Sequence, residues 1–140
     1  MMRTFEFRAW DKRKHTYRTA DTLFDSVFIT PRGKVRVLED GDIDTDDLSD
    51  MIDIETYTGI RDSSEKKKKI FEGDIVHFKS EMISGLGIVK WNEKTGAWEI
   101  DDIRPRTKKR GHRIYPFYPE AAYRVDGNVH ENPELLEAKK

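Results

Sequence analysis

Three groups of residues in this 140-residue chain have side chains that could do chemistry or recognition. The first is acidic: Glu39, Asp40, Asp42, Asp44, Asp46, Asp47, Asp50, Asp53 and Glu55 crowd residues 39–55. Asp40-x-Asp42-x-Asp44 has the alternating oxygens that open a calcium loop. Such a loop also needs Gly at position 6 and a bidentate Glu at position 12. Counted from Asp40 those positions hold Thr45 and Met51, and counted from Asp42 they hold Asp47 and Asp53. Both registers lack the turn residue. No metal site is assigned, and the segment reads as a solvated loop or a contact for a basic partner.

The second group is basic and aromatic. Arg104, Arg106, Lys108, Lys109, Arg110 and Arg113 are followed by Tyr115, Phe117 and Tyr118. Cations that neutralise phosphates beside rings on which bases stack are what a single-stranded nucleic acid requires. These six cations with Tyr115 are therefore the candidate contact for a nucleic acid or an acidic partner. The preferred reading is blander: a solvated hairpin whose rings belong to the core or to a subunit interface. A third option pairs this arm with segment 39–55, within one chain or across subunits.

The third group consists of isolated reactive types. His15, His77, His112 and His130 are scattered and lack the spacing of a helical metal pair. Ser63, Ser64 and Ser80 lack the glycine elbow of a hydrolase nucleophile. Gly85-x-Gly87 is too short for a phosphate loop and reads as strand curvature. Asp74, at a strand start after Gly73, reads as a turn cap rather than a general base. No catalytic residue and no cofactor is assigned.

The elements that must position these residues are mostly strands. Phe5 and Phe7 alternate with Glu6 and Arg8, a period of two that predicts a half-buried strand over 3–10. A charged turn at 11–14 and Tyr17 make it a hairpin. Helix and strand are not separable over 23–29, and Val35 and Val37 mark another short strand. Dense like charge over 39–55 predicts a segment that is mobile or held by a basic surface. A short strand over 55–59 and a charged loop over 61–69, including Lys66-Lys67-Lys68-Lys69, follow.

The clearest unit is 71–125. Phe71-Glu72-Gly73 leads into a strand at 74–78. A second strand follows at 86–91, where Gly87 permits a bend, and a turn at 92–96 returns the chain along 97–100. Prolines exclude a central strand at 114–119, and Tyr123-Arg124-Val125 closes the sheet. Short strands with tight turns predict a small SH3-like barrel. A turn at 126–128 and a helix over about 132–138, capped by Asn132 with Pro133 in its first turn, complete the chain. The expected fold class is mainly β, a curved SH3-like core with an N-terminal hairpin and a short C-terminal helix, organised as a single domain over 1–140.

Composition bounds the rest. The chain is 36% hydrophobic and 38% charged, so its core is thin, but seven Phe, five Tyr and three Trp supply large buried areas. A formal net charge of −1 excludes the whole molecule as an electrostatic binder. The absence of cysteine excludes disulfides and thiolate chemistry. Residues 1–8 lack the apolar run expected of a signal peptide, and no stretch approaches the roughly 20 apolar residues of a membrane span. The expectation is a soluble, cytoplasmic protein with no membrane association.

Three blocks together resemble the YopX family of bacteriophage and prophage proteins. They are Phe5-Glu6-Phe7-Arg8-Ala9-Trp10-Asp11; Tyr57-Thr58-Gly59-Ile60-Arg61-Asp62 with Ile70-Phe71-Glu72-Gly73-Asp74-Ile75-Val76; and Gly127-Asn128-Val129-His130-Glu131-Asn132-Pro133-Glu134-Leu135-Leu136. Between them, over 20–53 and 101–122, the chain departs from the family pattern. The resemblance implies a phage-encoded protein in the host cytoplasm, from a family of unestablished activity, and carries over no catalytic residues. The expected function is binding or assembly without catalysis, as a homo-oligomer or with a host or phage protein. The alternative is a nucleic-acid-binding module using 104–118.

Overall fold

A computed structural model describes residues 5–39, 45–104 and 111–137. Asp40, Asp42 and Asp44 of the calcium-like run, and Arg106, Lys108, Lys109 and Arg110 of the basic arm, lie outside the described residues. The described chain is mainly β with one short helix. It divides into two compact units, Glu6–Thr56 and a second containing 57–137.

In the first unit β1 (Phe7–Asp11) and β2 (Thr16–Arg18) form the N-terminal hairpin. The ambiguous stretch resolves as strand: β3 (Ser26–Ile29) pairs with β4 (Val35–Leu38), and β5 (Asp46–Asp47) adds to β4. The long strand β6 (Ile52–Arg61) begins here, its first half antiparallel to β1. Ala9, Val35, Val37 and Ile52 make this unit's core.

The acidic segment does not behave as one charged loop. Arg13 and Arg18 both donate to Glu39, at 2.7 and 3.2 Å. Lys12 lies 3.2 Å from Asp53. Glu55 is buried and accepts from Arg8 Nε at 2.7 Å and from Tyr17 Oη at 2.8 Å. Opposite charges from the N-terminal hairpin thus meet Glu39, Asp53 and Glu55, and β6 starts at Ile52 rather than at 55.

In the second unit the far half of β6 pairs with β7 (Lys69–Phe71), with a register shift around Gly59, whose φ of 87° suits glycine. β8 (Asp74–Lys79), β9 (Ser84–Asn92), β10 (Ala97–Asp102), β11 (Ile114–Pro116) and β12 (Ala122–Asn128) then form one sheet, ordered β11-β10-β9-β8-β12. The last strand returns to lie beside the first, which is the SH3-like order, and the sheet curls into a half-barrel. Ile70, Val76, Phe78, Val89, Ile100, Tyr115 and Tyr123 fill it. Pro116 is tolerated because β11 is an edge strand.

Two details differ from expectation. Residues 126–128 are not a turn but the end of β12, where the register slips between Val125 and Gly127 and leaves Asp126 as an extra residue. The helix α1 spans only Glu134–Glu137. Asn132 does not cap it in the usual sense; its side-chain oxygen accepts from Asn128 N at 3.1 Å, back towards β12.

Candidate binding cleft

Asp62 follows directly on β6 and is almost fully buried, at 2% exposure. Its Oδ1 accepts from Ser64 N (3.1 Å), Ser64 Oγ (2.6 Å) and Lys68 N (2.9 Å), and its Oδ2 from Val125 N (3.2 Å). Burial pushes this carboxyl's pKa up, and these hydrogen bonds more than reverse it, so the net shift is downward. Ser63 works alongside it: its N–H donates to Tyr123 O at 2.7 Å and its Oγ accepts from Tyr123 N at 3.0 Å. The outer edge of β12 is therefore satisfied by side-chain oxygens and one backbone bond from the 62–64 loop, which closes it to further strand pairing.

This stitching forms one wall of a cleft of about 420 Å³. Arg61, Asp62, Ser63 and Lys67 of the loop line it together with Phe117, Tyr118, Pro119 and Tyr123. The loop wall is held in place. Arg61 Nη1 donates to Lys67 O at 3.0 Å, and Lys67 N donates to Ser64 O at 3.1 Å. Lys67 itself sits at φ 48°, a left-handed conformation that a non-glycine residue adopts only under constraint. The ring wall is equally fixed: Tyr123 Oη accepts from Tyr118 N and donates to Tyr118 O, and the Phe117 and Tyr123 rings lie 5.0 Å apart. Burial raises the Tyr123 phenol, so it remains a neutral hydrogen-bonding group.

The described cations of the basic arm, Arg104 and Arg113, do not line the cleft. Arg104 is bound by Asp102, through Nε to Oδ1 at 3.2 Å and Nη2 to Oδ2 at 3.1 Å, and its Nη2 also reaches Tyr115 Oη at 3.3 Å. The bond to Asp102 raises the guanidinium pKa, so the charge is permanent but internally engaged. Tyr115 is a core residue at 6% exposure, edge-on to Phe78 at 5.0 Å. Arg113 is exposed. Beside it, His112 Nε2 contacts Asp101, which Lys90 also binds at 2.8 Å. Burial pushes Asp101's pKa up, and the bonds from Lys90 and His112 bring it below the ordinary carboxylate value.

The structure thus brings together rings from the 117–123 segment and cations from the 61–69 loop. The sequence alone groups those rings with the arm and leaves the lysine run as a plain charged loop. The missed signal is long-range: the Ser63–Tyr123 bond joins positions 60 residues apart. Among the described residues no group of three or more His, Asp or Glu is arranged to hold a metal ion. Asp74 and Ser80 each hold a turn. Asp74 Oδ2 accepts from Phe71 N at 2.8 Å, capping the turn at Gly73, and Ser80 Oγ closes its own loop with Ile83.

The family model described as YopX protein matches residues 6–137. The chain belongs to the YopX family. No curated protein matches it. Among solved structures it is similar to the crystal structure of protein yopX from Bacillus subtilis, at 21% identity and a TM-score of 0.59, covering 96% of this chain and 98% of that one. At that identity the likeness concerns the fold. YopX-like blocks that are distant in sequence meet in this chain. Asn128 pairs with Asp74, Val129 N donates to Gly73 O at 3.0 Å, and Thr58 Oγ1 donates to Ile70 O at 2.8 Å. Asn128 Oδ1 accepts from His130 N and Glu131 N. These polar motif residues hold turns and strand ends. Among the described residues no membrane-length apolar helix occurs.

Proposed function

We propose that this YopX-family chain is a phage- or prophage-encoded accessory protein that acts by binding or assembly in the host cytoplasm, without catalysing a reaction, and that it self-associates. One observation carries the reading: the cleft offers fixed rings and cations, while the carboxylate that lines it, Asp62, is fully committed to holding the loop. A cleft lined by rings and cations, whose one lining carboxylate is already engaged by four donors, supports recognition of a ligand rather than its turnover. The alternative reading, nucleic acid on 104–118, retains the exposed Arg113, but its Tyr115 is spent on the core.

Capture from phage-infected host extract tests the proposal, comparing the wild-type chain with a Lys67→Asn/Phe117→Gln variant whose fold is verified by circular dichroism. A stoichiometric partner, retained by the wild type and lost by the variant, is the expected result. Failure of the wild-type chain to retain any stoichiometric partner overturns the proposal.

A further inference from the structure

We infer that the cleft between the 61–69 loop and the 117–123 segment binds single-stranded nucleic acid, with a base stacked on the Phe117–Tyr118 wall and the backbone phosphates on the lysine-rich loop. This rests on the binding reading above and names its ligand. Both halves of the requirement line one cavity. Phe117 and Tyr118 are half-buried, held from behind by Tyr123 and the core, and still line the opening. Such a ring wall takes a planar group without reorganising, and stacking tolerates every base because every base has a π-face. At about 420 Å³ the cavity lies in the size range of small-molecule sites, roughly 300–1,000 Å³.

The loop supplies the charge. Arg61 and Lys67 line the cleft, and Lys66 and Lys68 are exposed beside them on the same loop. The acids close by are Asp62, Glu65 and Glu120. Asp62 accepts four hydrogen bonds and points into the loop, leaving Glu65 and Glu120 as the exposed carboxylates against four exposed cations. An acidic peptide would answer the cations but leave the rings without a partner. A neutral aromatic ligand would answer the rings and not the cations. A nucleotide chain answers both, and a duplex cannot, because its bases are already stacked.

Fluorescence anisotropy with a labelled ten-residue oligothymidylate, a duplex of equal length and a polyglutamate peptide tests this on the full chain over a salt series. The oligothymidylate should bind tightest, with log affinity falling against log salt at a slope of about −2 to −3 for three to four cations. Lys67→Asn suits the left-handed backbone and should weaken binding about five- to tenfold at roughly 50 mM salt, lowering the slope by about 0.7. Phe117→Leu, which keeps an apolar side chain but removes the ring, should weaken it about fivefold or more with the slope unchanged.

Duplex binding equal to the single strand, polyglutamate binding as tight, or wild-type affinity in Phe117→Leu each overturn the inference. So does the absence of oligothymidylate binding at low salt. In that case a captured partner that the cleft variant loses leaves the binding reading standing, whereas failure of both experiments removes both.

Discussion

The buried acids of this protein are structural, and their pH behaviour follows from their partners. Asp11 has no exposed surface, and accepts from Arg13 N at 2.9 Å, Arg13 Nη2 at 3.0 Å and Arg18 Nη1 at 3.2 Å. Burial pulls its pKa up, but the guanidinium hydrogen bonds outweigh it and bring it from 3.8 to about 2. A carboxyl whose folded pKa is depressed contributes stability that is complete above its unfolded pKa and disappears as pH falls through the folded one. Asp11 should therefore contribute about 2 kcal/mol at neutral pH, lost progressively from about pH 4 to pH 2. Urea unfolding at a series of pH values checks this: Asp11→Asn should be destabilised at pH 7 and should lose less on acidification than the wild type. Asp62→Asn replaces an acceptor of four bonds by a group with one oxygen and should cost about 2–3 kcal/mol. Lys66→Ala, exposed on the same loop, should shift the urea midpoint by less than about 0.5 kcal/mol equivalent. Neither Asp11 nor Asp62 stands out among the reactive residues of the sequence, because their role depends on donors supplied by the folded backbone.

At the scale of elements, the close approach of β9 and β10 depends on one glycine. A Cβ on Gly87 would lie 2.4 Å from the carbonyl oxygen of Asp101 and 2.7 Å from Ile100 Cγ2, so β9 and β10 approach more closely than any other residue permits. The clash is with backbone, which cannot swing aside. Gly87→Ala should therefore cost about 3 kcal/mol, measured by chemical denaturation, whereas Gly111→Ala, with open space around it, should be near neutral. Gly85 serves the core in a related way, since the Phe78 ring occupies the space its Cβ would take. A glycine inside an apolar strand marks a bulge, a bend or a close backbone approach, and at Gly87 the pairing runs unbroken and the close approach is what is found. The one-turn helix and the slip at Asp126 were not legible: Asn132 looks like a helix cap in sequence, and only the packing of Gly127 against its side chain turns it back to β12.

At the scale of the whole molecule, self-association is the property most open to direct test. Multi-angle light scattering at low and at high salt should return a mass that is a multiple of 16.5 kDa in at least one condition, and a monomer in both would sink that part of the proposal. By itself the sequence determined the β class, the hairpin turns, the SH3-like unit and the family, because alternation, glycine placement and short motifs are local signals that one strand or turn carries alone. Tertiary structure alone decided which charges meet. Glu39, Asp53 and Glu55 of the acidic segment are met by Arg13 and Arg18, Lys12, and Arg8, and Tyr115 is drawn into the core with Arg104 held behind it. The cleft was likewise beyond the sequence. Its cations and its rings lie some fifty residues apart or more, and only the antiparallel return of β12 to the edge beside Ser63 brings them to one cavity.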